Sequence, residues 1–252
     1  NIRVIGVYLS LVVVFILFND LVSSKKLRLK EFKLLFIFLI FNLLFVYIFW
    51  PFLWESPISN FLSAISSFTK YAWGGSILYL GEFHSAKYLP WHYLFIWIIA
   101  TSPIYLIIII FSAYVFYASK YVKSFLKLDQ TDVTINIWRN NDDKKIFLIF
   151  LISIVPIFLY LILSPVIYNG WRHFYFLYPC FILISLKFYQ NLIDRIKKNT
   201  LRKILYIFIL TVPIVNFYNL VKFHPFQYVY FNKIFEDKAN NLFEIDYWGV
   251  AN

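Results

Sequence analysis

A series of long apolar segments constrains this chain more than any other feature of its sequence. Several uninterrupted runs reach about 20 residues, enough for a helix to cross the roughly 30 Å hydrocarbon core of a bilayer. Only 15% of the 252 residues are charged, whereas a soluble domain usually carries about 25%. The sequence therefore predicts an all-α polytopic membrane protein with about six transmembrane helices. The predicted spans are residues 2–22, 34–54, 93–117, 146–164, 173–190 and 204–221.

The basic residues predict the orientation of these spans. Three loops hold 16 of the 24 Lys and Arg residues, and the three alternate segments hold 6. Because basic loops remain in the cytoplasm, both ends of the chain are predicted to lie outside. The net charge of +11 follows from these loops, so no nucleic-acid partner is predicted. The basic loops are 23–33, 118–145 and 191–203, and the predicted outer segments are 55–92, 165–172 and 222–252.

The predicted domain organisation follows from this topology. Residues 1–221 form a transmembrane helical domain with the outer loop 55–92, and residues 222–252 begin an extracytoplasmic segment. Within the outer loop, Ser56-Pro57 is typical of a helix start. Apolar residues then recur at helical spacing opposite a serine-rich face, which predicts an amphipathic helix in the membrane interface. The apolar positions are Ile58, Phe61, Leu62, Ile65 and Phe68.

Two further features bear on the class of protein. The single cysteine, Cys180, lies inside an apolar run, which excludes a disulfide framework and a thiolate metal site. The chain begins with Asn1 and contains no Met. We therefore expect a fragment of a longer membrane protein.

The candidate site residues gather on the predicted outer side, where all four histidines lie. Arg and protonated His bind phosphate by charge-assisted hydrogen bonds, a carboxylate can accept a proton, and aromatic rings can stack on a sugar. The candidates are Glu82, His84, Lys87, His92, Tyr93, Arg172, His173, His224, Tyr228, Tyr230, Asp246 and Trp248.

Each cluster also has a simpler interpretation. Trp, Tyr and His at span ends are common interfacial anchors, and Arg172 could snorkel to lipid phosphate. Glu82 and Lys87 could form a local ion pair in a solvated loop. No ligand spacing such as H-E-x-x-H is present, so no metal site is predicted. Assistance by a divalent ion stays open.

Several short pieces near the predicted outer surface carry a family resemblance. They are Pro51-Phe-Leu-Trp54, Tyr79-Leu-Gly-Glu82, Leu89-Pro-Trp-His-Tyr93, Arg172-His173 with Pro179, His224-Pro-Phe-Gln-Tyr-Val-Tyr-Phe-Asn232 and Glu244-Ile-Asp-Tyr-Trp-Gly249. Over about residues 50–250 the chain resembles the bacterial branch of the family 39 glycosyltransferases. These are relatives of the protein O-mannosyltransferases and the lipid A aminoarabinose transferases, with the GT-C type of membrane fold.

The resemblance implies a polyprenyl-phosphate-linked sugar as donor and transfer to an unknown acceptor on the extracytoplasmic side. No cofactor is predicted, and the predicted location is the bacterial inner (cytoplasmic) membrane. The resemblance also implies that Arg172 and His173 face the lipid phosphate. Glu82, His84 and Lys87 would belong to a mobile loop, and the tract 224–248 would lead into an outer soluble part. In this family the catalytic carboxylate lies in the first outer loop, so we expect it upstream of Asn1 and expect no catalysis by this fragment alone.

Two other functions stay open at the level of sequence. A transporter or flippase of a lipid-linked substrate usually places ionisable residues near the bilayer midplane, whereas the predicted spans are nearly uncharged. A non-catalytic membrane assembly subunit would use the same outer loops to bind partners.

Overall fold

A computed structural model describes residues 7–23, 29–69, 74–126, 140–246 and 249 of the chain. The described part consists mainly of helices, as the sequence predicts. The α-helices are α1 (Val7–Ser23), α2 (Leu29–Phe49), α3 (Pro57–Thr69), α4 (Tyr93–Thr101), α5 (Ile104–Leu126), α6 (Asn141–Leu163), α7 (Tyr178–Arg195), α8 (Asn199–Lys222) and α9 (Ala239–Leu242). The strands β1 (Ser76–Tyr79) and β2 (Glu82–Ser85) form an antiparallel hairpin, and 3₁₀ helices cover Pro51–Leu53, Arg172–Leu177, Gln227–Val229 and Glu236–Lys238.

Five helical segments within the described residues are long and apolar enough to cross a membrane. A shorter apolar helix, Val7–Leu21, precedes them. This set is typical of a multi-pass membrane protein and confirms the predicted membrane class. The five segments are Phe32–Phe49, Ile104–Ser124, Asn141–Leu163, Arg172–Arg195 and Asn199–Lys222.

The predicted span 93–117 is wrong, because the structure divides it into two helices. Pro103 has no N–H and disfavours helical backbone in the residue before it, and Ser102 is accordingly extended. Helix α4, of 9 residues, is far too short to cross a bilayer. Its side chains Tyr93, Leu94 and Trp97 are buried within the protein. The membrane-length helix begins only at Ile104.

The chain divides into two compact units, and unit 1 comprises Asn1–Ala72 and Val115–Val166. In it, α1 packs against α6 through residues spaced four apart, which places them on one helix face. The Tyr8 hydroxyl also donates to the Ile152 carbonyl at 3.1 Å. The buried residues are Tyr8, Val12 and Ile16, packed against Leu148, Leu151, Ile152, Val155 and Leu159.

Ion pairs join helix ends of unit 1 near both ends of the predicted connector 118–145. Lys120 Nζ lies 2.5 Å from Asp143 Oδ1, and Lys144 contacts Asp20. The Asn140 side chain caps α6 by accepting from the Asp143 N–H at 2.8 Å. Residues 127–139, in the middle of the connector, lie outside the described residues.

Helix α3 confirms the helix predicted from Ser56-Pro57. The Asn60 amide donates to the Phe52 carbonyl at 2.6 Å, and the Trp50 and Phe61 rings meet edge to face at 6.3 Å. Ile58 and Leu62 are largely exposed. These contacts hold α3 next to the C-terminal end of α2, and part of the apolar face of α3 remains exposed.

Unit 2 comprises Trp73–Tyr114 and Ile167–Asn252. It contains the hairpin β1–β2, which the sequence analysis did not predict. Leu80 and Gly81 connect the strands, and both have positive φ, at 53° and 87°. Two such residues are typical of the tight turns whose twist matches a hairpin. Leu rarely adopts this conformation, which explains why the turn is not evident from residue type.

Candidate functional site

Most of the candidate residues lie in a substructure of unit 2 that we name the α4 cap. It comprises the hairpin, α4, the turn 168–171 and the tract 223–246. Aromatic rings form its core: Trp97 lies 5.0 Å from Phe243 and 5.7 Å from Phe231, and Tyr79 lies 5.0 Å from Tyr93, all between ring centroids. Such ring pairs stabilise a core beyond the area that they bury. The polar segments of the cap are therefore held together by a packed aromatic core.

The turn 168–171 is fastened to α4 by its backbone and by an indole. The Gly170 N–H donates to the Tyr93 hydroxyl at 3.2 Å, and Trp171 Nε1 donates to Thr101 Oγ1 at 2.8 Å. Gly170 has a φ of +68°, and a Cβ there would lie 3.1 Å from the Trp97 ring. Only glycine meets both requirements without strain. This turn positions the residues that follow it.

Arg172 and His173 lie against the same aromatic ring. The guanidinium carbon of Arg172 is 4.7 Å from the Tyr168 ring centroid, within the range of a cation–π contact. The His173 ring meets Tyr168 edge to face at 5.1 Å. The Arg172 guanidinium carries several N–H donors in a planar fork, and the His173 imidazole lies beside it. The structure thus brings this predicted pair together at the start of a membrane-length helical segment.

Several candidates on and after the hairpin have side-chain partners within the protein. His84 Nε2 lies 3.8 Å from Glu82 Oε2, so Glu82 has a histidine partner rather than the lysine considered from sequence. Lys87 is exposed. His92 Nδ1 lies 2.5 Å from the hydroxyl of Tyr79, which belongs to one piece of the family resemblance but is not among the candidate site residues. These contacts orient the imidazoles toward the protein.

The described C-terminal candidates have different surroundings. The Tyr228 hydroxyl donates to Asp246 Oδ1 at 2.5 Å. His224 Nδ1 lies 3.0 Å from Gln227 Nε2. Tyr230 lines a cleft described below, and Trp248 lies outside the described residues.

Asn232, at the end of the tract 224–232, has a structural role. It is almost fully buried, and its side-chain amide donates to the carbonyls of Ile99 at 2.5 Å and Ser102 at 2.9 Å. Its backbone N–H donates to the Ala100 carbonyl at 2.9 Å. Helix ends leave such carbonyls without helical partners. Asn232 therefore closes the C-terminal end of α4, where Pro103 interrupts the helix.

Glu244 is a partly buried acid beside the core residue Phe243. Its Oε2 is buried and has no hydrogen-bond partner among the described residues. Burial raises the pKa of this carboxyl above its ordinary value, because desolvation disfavours the charged form. Glu244 can therefore hold a proton more readily than a surface acid.

An open cleft of about 330 Å³ lies where α5 and α7 begin and α8 ends. Tyr230 is the only one of the lining residues among the candidates predicted from sequence. Asn216 and Asn219 fall inside the predicted span 204–221, and amides within an apolar span are the signal that could have indicated it. The polar residues that line the cleft are Thr101, Tyr178, Asn216, Asn219, Gln227 and Tyr230.

The described residues contain no group of three or more His, Cys, Asp or Glu side chains arranged to hold a metal ion. No known protein family, curated protein or solved structure matches this chain. The glycosyltransferase resemblance and the roles it implies therefore stay predictions.

Proposed function

We propose that this chain supplies the lipid-phosphate-binding part of a membrane glycosyltransferase. The enzyme would move a sugar from a polyprenyl-phosphate carrier to an acceptor on the extracytoplasmic side of the bacterial inner membrane. The observation that carries the proposal is the placement of Arg172 and His173 on Tyr168, at the start of the membrane-length segment Arg172–Arg195.

The physical argument begins with what a lipid-linked sugar phosphate requires. Its polyprenyl tail needs an apolar protein surface, and α8 buries none of its span residues within the protein. Its phosphate needs cationic hydrogen-bond donors where the apolar surface ends. A guanidinium suits a phosphate because two N–H groups can bind two oxygens at once.

The test removes the guanidinium in the full-length natural protein. We expect Arg172→Ala to weaken binding of undecaprenyl phosphate about 10- to 100-fold, since a hydrogen bond to a charged group contributes roughly 1.5–3 kcal/mol. Arg172→Lys should restore part of that loss. Native mass spectrometry measures the binding, and release of labelled sugar from a polyprenyl-phosphate donor measures transfer.

Arg195→Ala is the matched control, because it removes the same charge at the other end of the segment Arg172–Arg195. Undecaprenol, which lacks the phosphate, should bind wild type and Arg172→Ala equally. Unchanged phosphate binding and normal transfer by a folded Arg172→Ala variant would contradict the proposed role of Arg172 in binding the lipid phosphate.

A second candidate, a non-catalytic assembly subunit, is favoured by the mutual pairing of the polar cap residues. Tyr79 with His92, Glu82 with His84, and Tyr228 with Asp246 resemble a cap built for rigidity. Under this function the full-length protein would transfer no sugar from any polyprenyl-phosphate donor, and Arg172→Ala would leave lipid binding unchanged.

A further inference from the structure

The cleft of unit 2 lies where a membrane-length helix ends. Four of its lining residues come from α8 at positions three or four apart, which places them on one helix face. No residue of α8 is buried within the described part of the protein, and the membrane-length segment ends at Lys222. The cleft therefore opens where the hydrocarbon of a bilayer gives way to its headgroups. The four residues are Asn216, Asn219, Leu220 and Phe223.

A charge pair stands beside the cleft. Lys222 Nζ lies 3.7 Å from Glu236 Oε1, and the two side chains are 50% and 43% exposed. Burial, Tyr105 and the Glu236 carboxylate together raise the pKa of Tyr230, so Glu236 is close enough to act on the lining. An exposed ion pair contributes little stability. Its remaining N–H donors and carboxylate oxygen stay available to a ligand.

Inside the cleft, oxygen acceptors lie beside aromatic rings. Gln227 Nε2 donates to the Leu220 carbonyl at 3.3 Å, which leaves its own carbonyl oxygen as an acceptor. The Phe223 and Tyr230 rings meet edge to face at 5.4 Å. The ammonium of Lys222 lies 5.1 Å from the Phe223 centroid, within the range of a cation–π contact. Carbonyl oxygens and aromatic rings are groups that bind an ammonium.

The charges around the cleft discriminate among ligands. None of the described residues that line it is charged. A purely anionic group would meet only Lys222, whose charge Glu236 already balances, and an apolar group would bury the carboxamides without partners. A compact group that carries both charges meets both members of the pair. The volume of about 330 Å³ lies at the lower end of the range for small-molecule sites.

We infer that this cleft binds the phosphoethanolamine headgroup of a phospholipid. The ammonium lies in the cleft beside Glu236, the phosphate contacts Lys222, and the acyl chains follow the apolar surface of α8. The site is distinct from the Arg172 and His173 pair. The phospholipid is a bound membrane component and donates no group, so the inference does not rest on the proposed function.

The experiment measures lipid preference in the full-length protein by native mass spectrometry in detergent. The probes are phosphatidylethanolamine, phosphatidylcholine and phosphatidylglycerol with the same two oleoyl chains. Phosphatidylethanolamine should bind about 10-fold more tightly than either, which corresponds to about 1.4 kcal/mol. Choline has no N–H to donate to the cleft, and glycerol has no positive charge for Glu236. Glycerophosphoethanolamine, which lacks acyl chains, should bind far more weakly than the lipid.

Three variants connect this preference to the cleft. Glu236→Gln should abolish the preference for phosphatidylethanolamine over phosphatidylglycerol, because it removes the partner of the ammonium. Gln227→Ala removes an acceptor and should lower the preference about 3- to 10-fold. Lys222→Gln should weaken both lipids by a similar factor, since both carry the phosphate. Asp237→Asn, which neutralises the next exposed acid, should behave like wild type. A ratio of two affinities does not depend on the fraction of protein that is folded.

The inference is overturned if wild type does not prefer phosphatidylethanolamine to both other lipids, or if the preference survives in both Glu236→Gln and Gln227→Ala. Equal binding of glycerophosphoethanolamine and the lipid would overturn the assignment to a phospholipid. Unchanged binding of undecaprenyl phosphate by Arg172→Ala would contradict the proposed function and leave these outcomes unaffected.

Discussion

Glu244 and Trp97 differ from the other polar side chains of the α4 cap. Most of those side chains are satisfied within the cap, as Tyr228 is by Asp246 at 2.5 Å. By contrast, Oε2 of Glu244 and Nε1 of Trp97 are buried without a hydrogen-bond partner among the described residues. A buried polar atom without a partner destabilises the fold. At the scale of the residue, Glu244 is therefore the group whose protonation should affect stability most clearly.

We predict a pH-dependent stability gain for Glu244→Gln. The pKa of Glu244 is raised in the folded state from its ordinary value of 4.5, so the folded protein binds this proton more tightly than the unfolded chain. The free energy of unfolding of wild type should then fall as the pH rises from below 4.5 through the folded-state pKa. Glu244→Gln should be more stable than wild type above that range and not below it.

Thermal unfolding in detergent between about pH 4 and 8 measures this difference. Asp237→Asn, which removes an exposed acid of the same tract, is the control. Identical unfolding of wild type and Glu244→Gln at every pH would contradict the prediction.

The break between α4 and α5 decides the architecture of unit 2 at the scale of the element. Pro103 ends the helical hydrogen bonding, and Asn232 satisfies carbonyls exposed by the break. The residue that completes the end of α4 therefore comes from the C-terminal tract. Folding of α4 is thereby coupled to docking of a segment about 130 residues away.

We predict that Asn232→Leu destabilises the α4 cap by about 2–4 kcal/mol, because it leaves buried carbonyls without donors. Denaturant titration measures the free energy of unfolding. Asn240→Leu, at an exposed position of α9, should be close to neutral. Equal stability of the two variants would show that the Asn232 amide does not stabilise the C-terminal end of α4.

At the scale of the whole molecule, membrane-length helices coexist with polar segments that fold on their own aromatic core. The hairpin and the tract 223–246 both belong to unit 2. The charge distribution predicts that both lie outside the cytoplasm.

Cysteine labelling in intact cells tests this orientation in the full-length protein. After replacement of Cys180 by Ala, Ser85→Cys and Lys233→Cys should react with a membrane-impermeant maleimide. Lys197→Cys should react only after permeabilisation, because its loop is predicted to be cytoplasmic. All three native positions are exposed in the structure. Labelling of Lys197→Cys in intact cells would reverse the predicted topology.

Much of the fold could be predicted because the relevant signals are local. Run length indicates helices α2, α6 and α8, and Ser56-Pro57 with periodic apolar residues indicates α3. The hairpin turn was missed because Leu80 is not a residue that usually adopts positive φ. The cleft was missed because its lining comes from four separate segments.

The membrane class, the positions of most long helices and the residue types available for a site follow from the sequence alone. Tertiary packing determines which apolar run is long enough to cross lipid and which lies in a protein core, because the residues of α4 are apolar enough for either environment. It also decided the partners of the polar groups. Contacts such as the Gly170 N–H with Tyr93 or the Asn232 amide with Ser102 join residues 77 and 130 positions apart. Hydrogen bonding at that separation depends on packing in three dimensions, which local pattern does not encode.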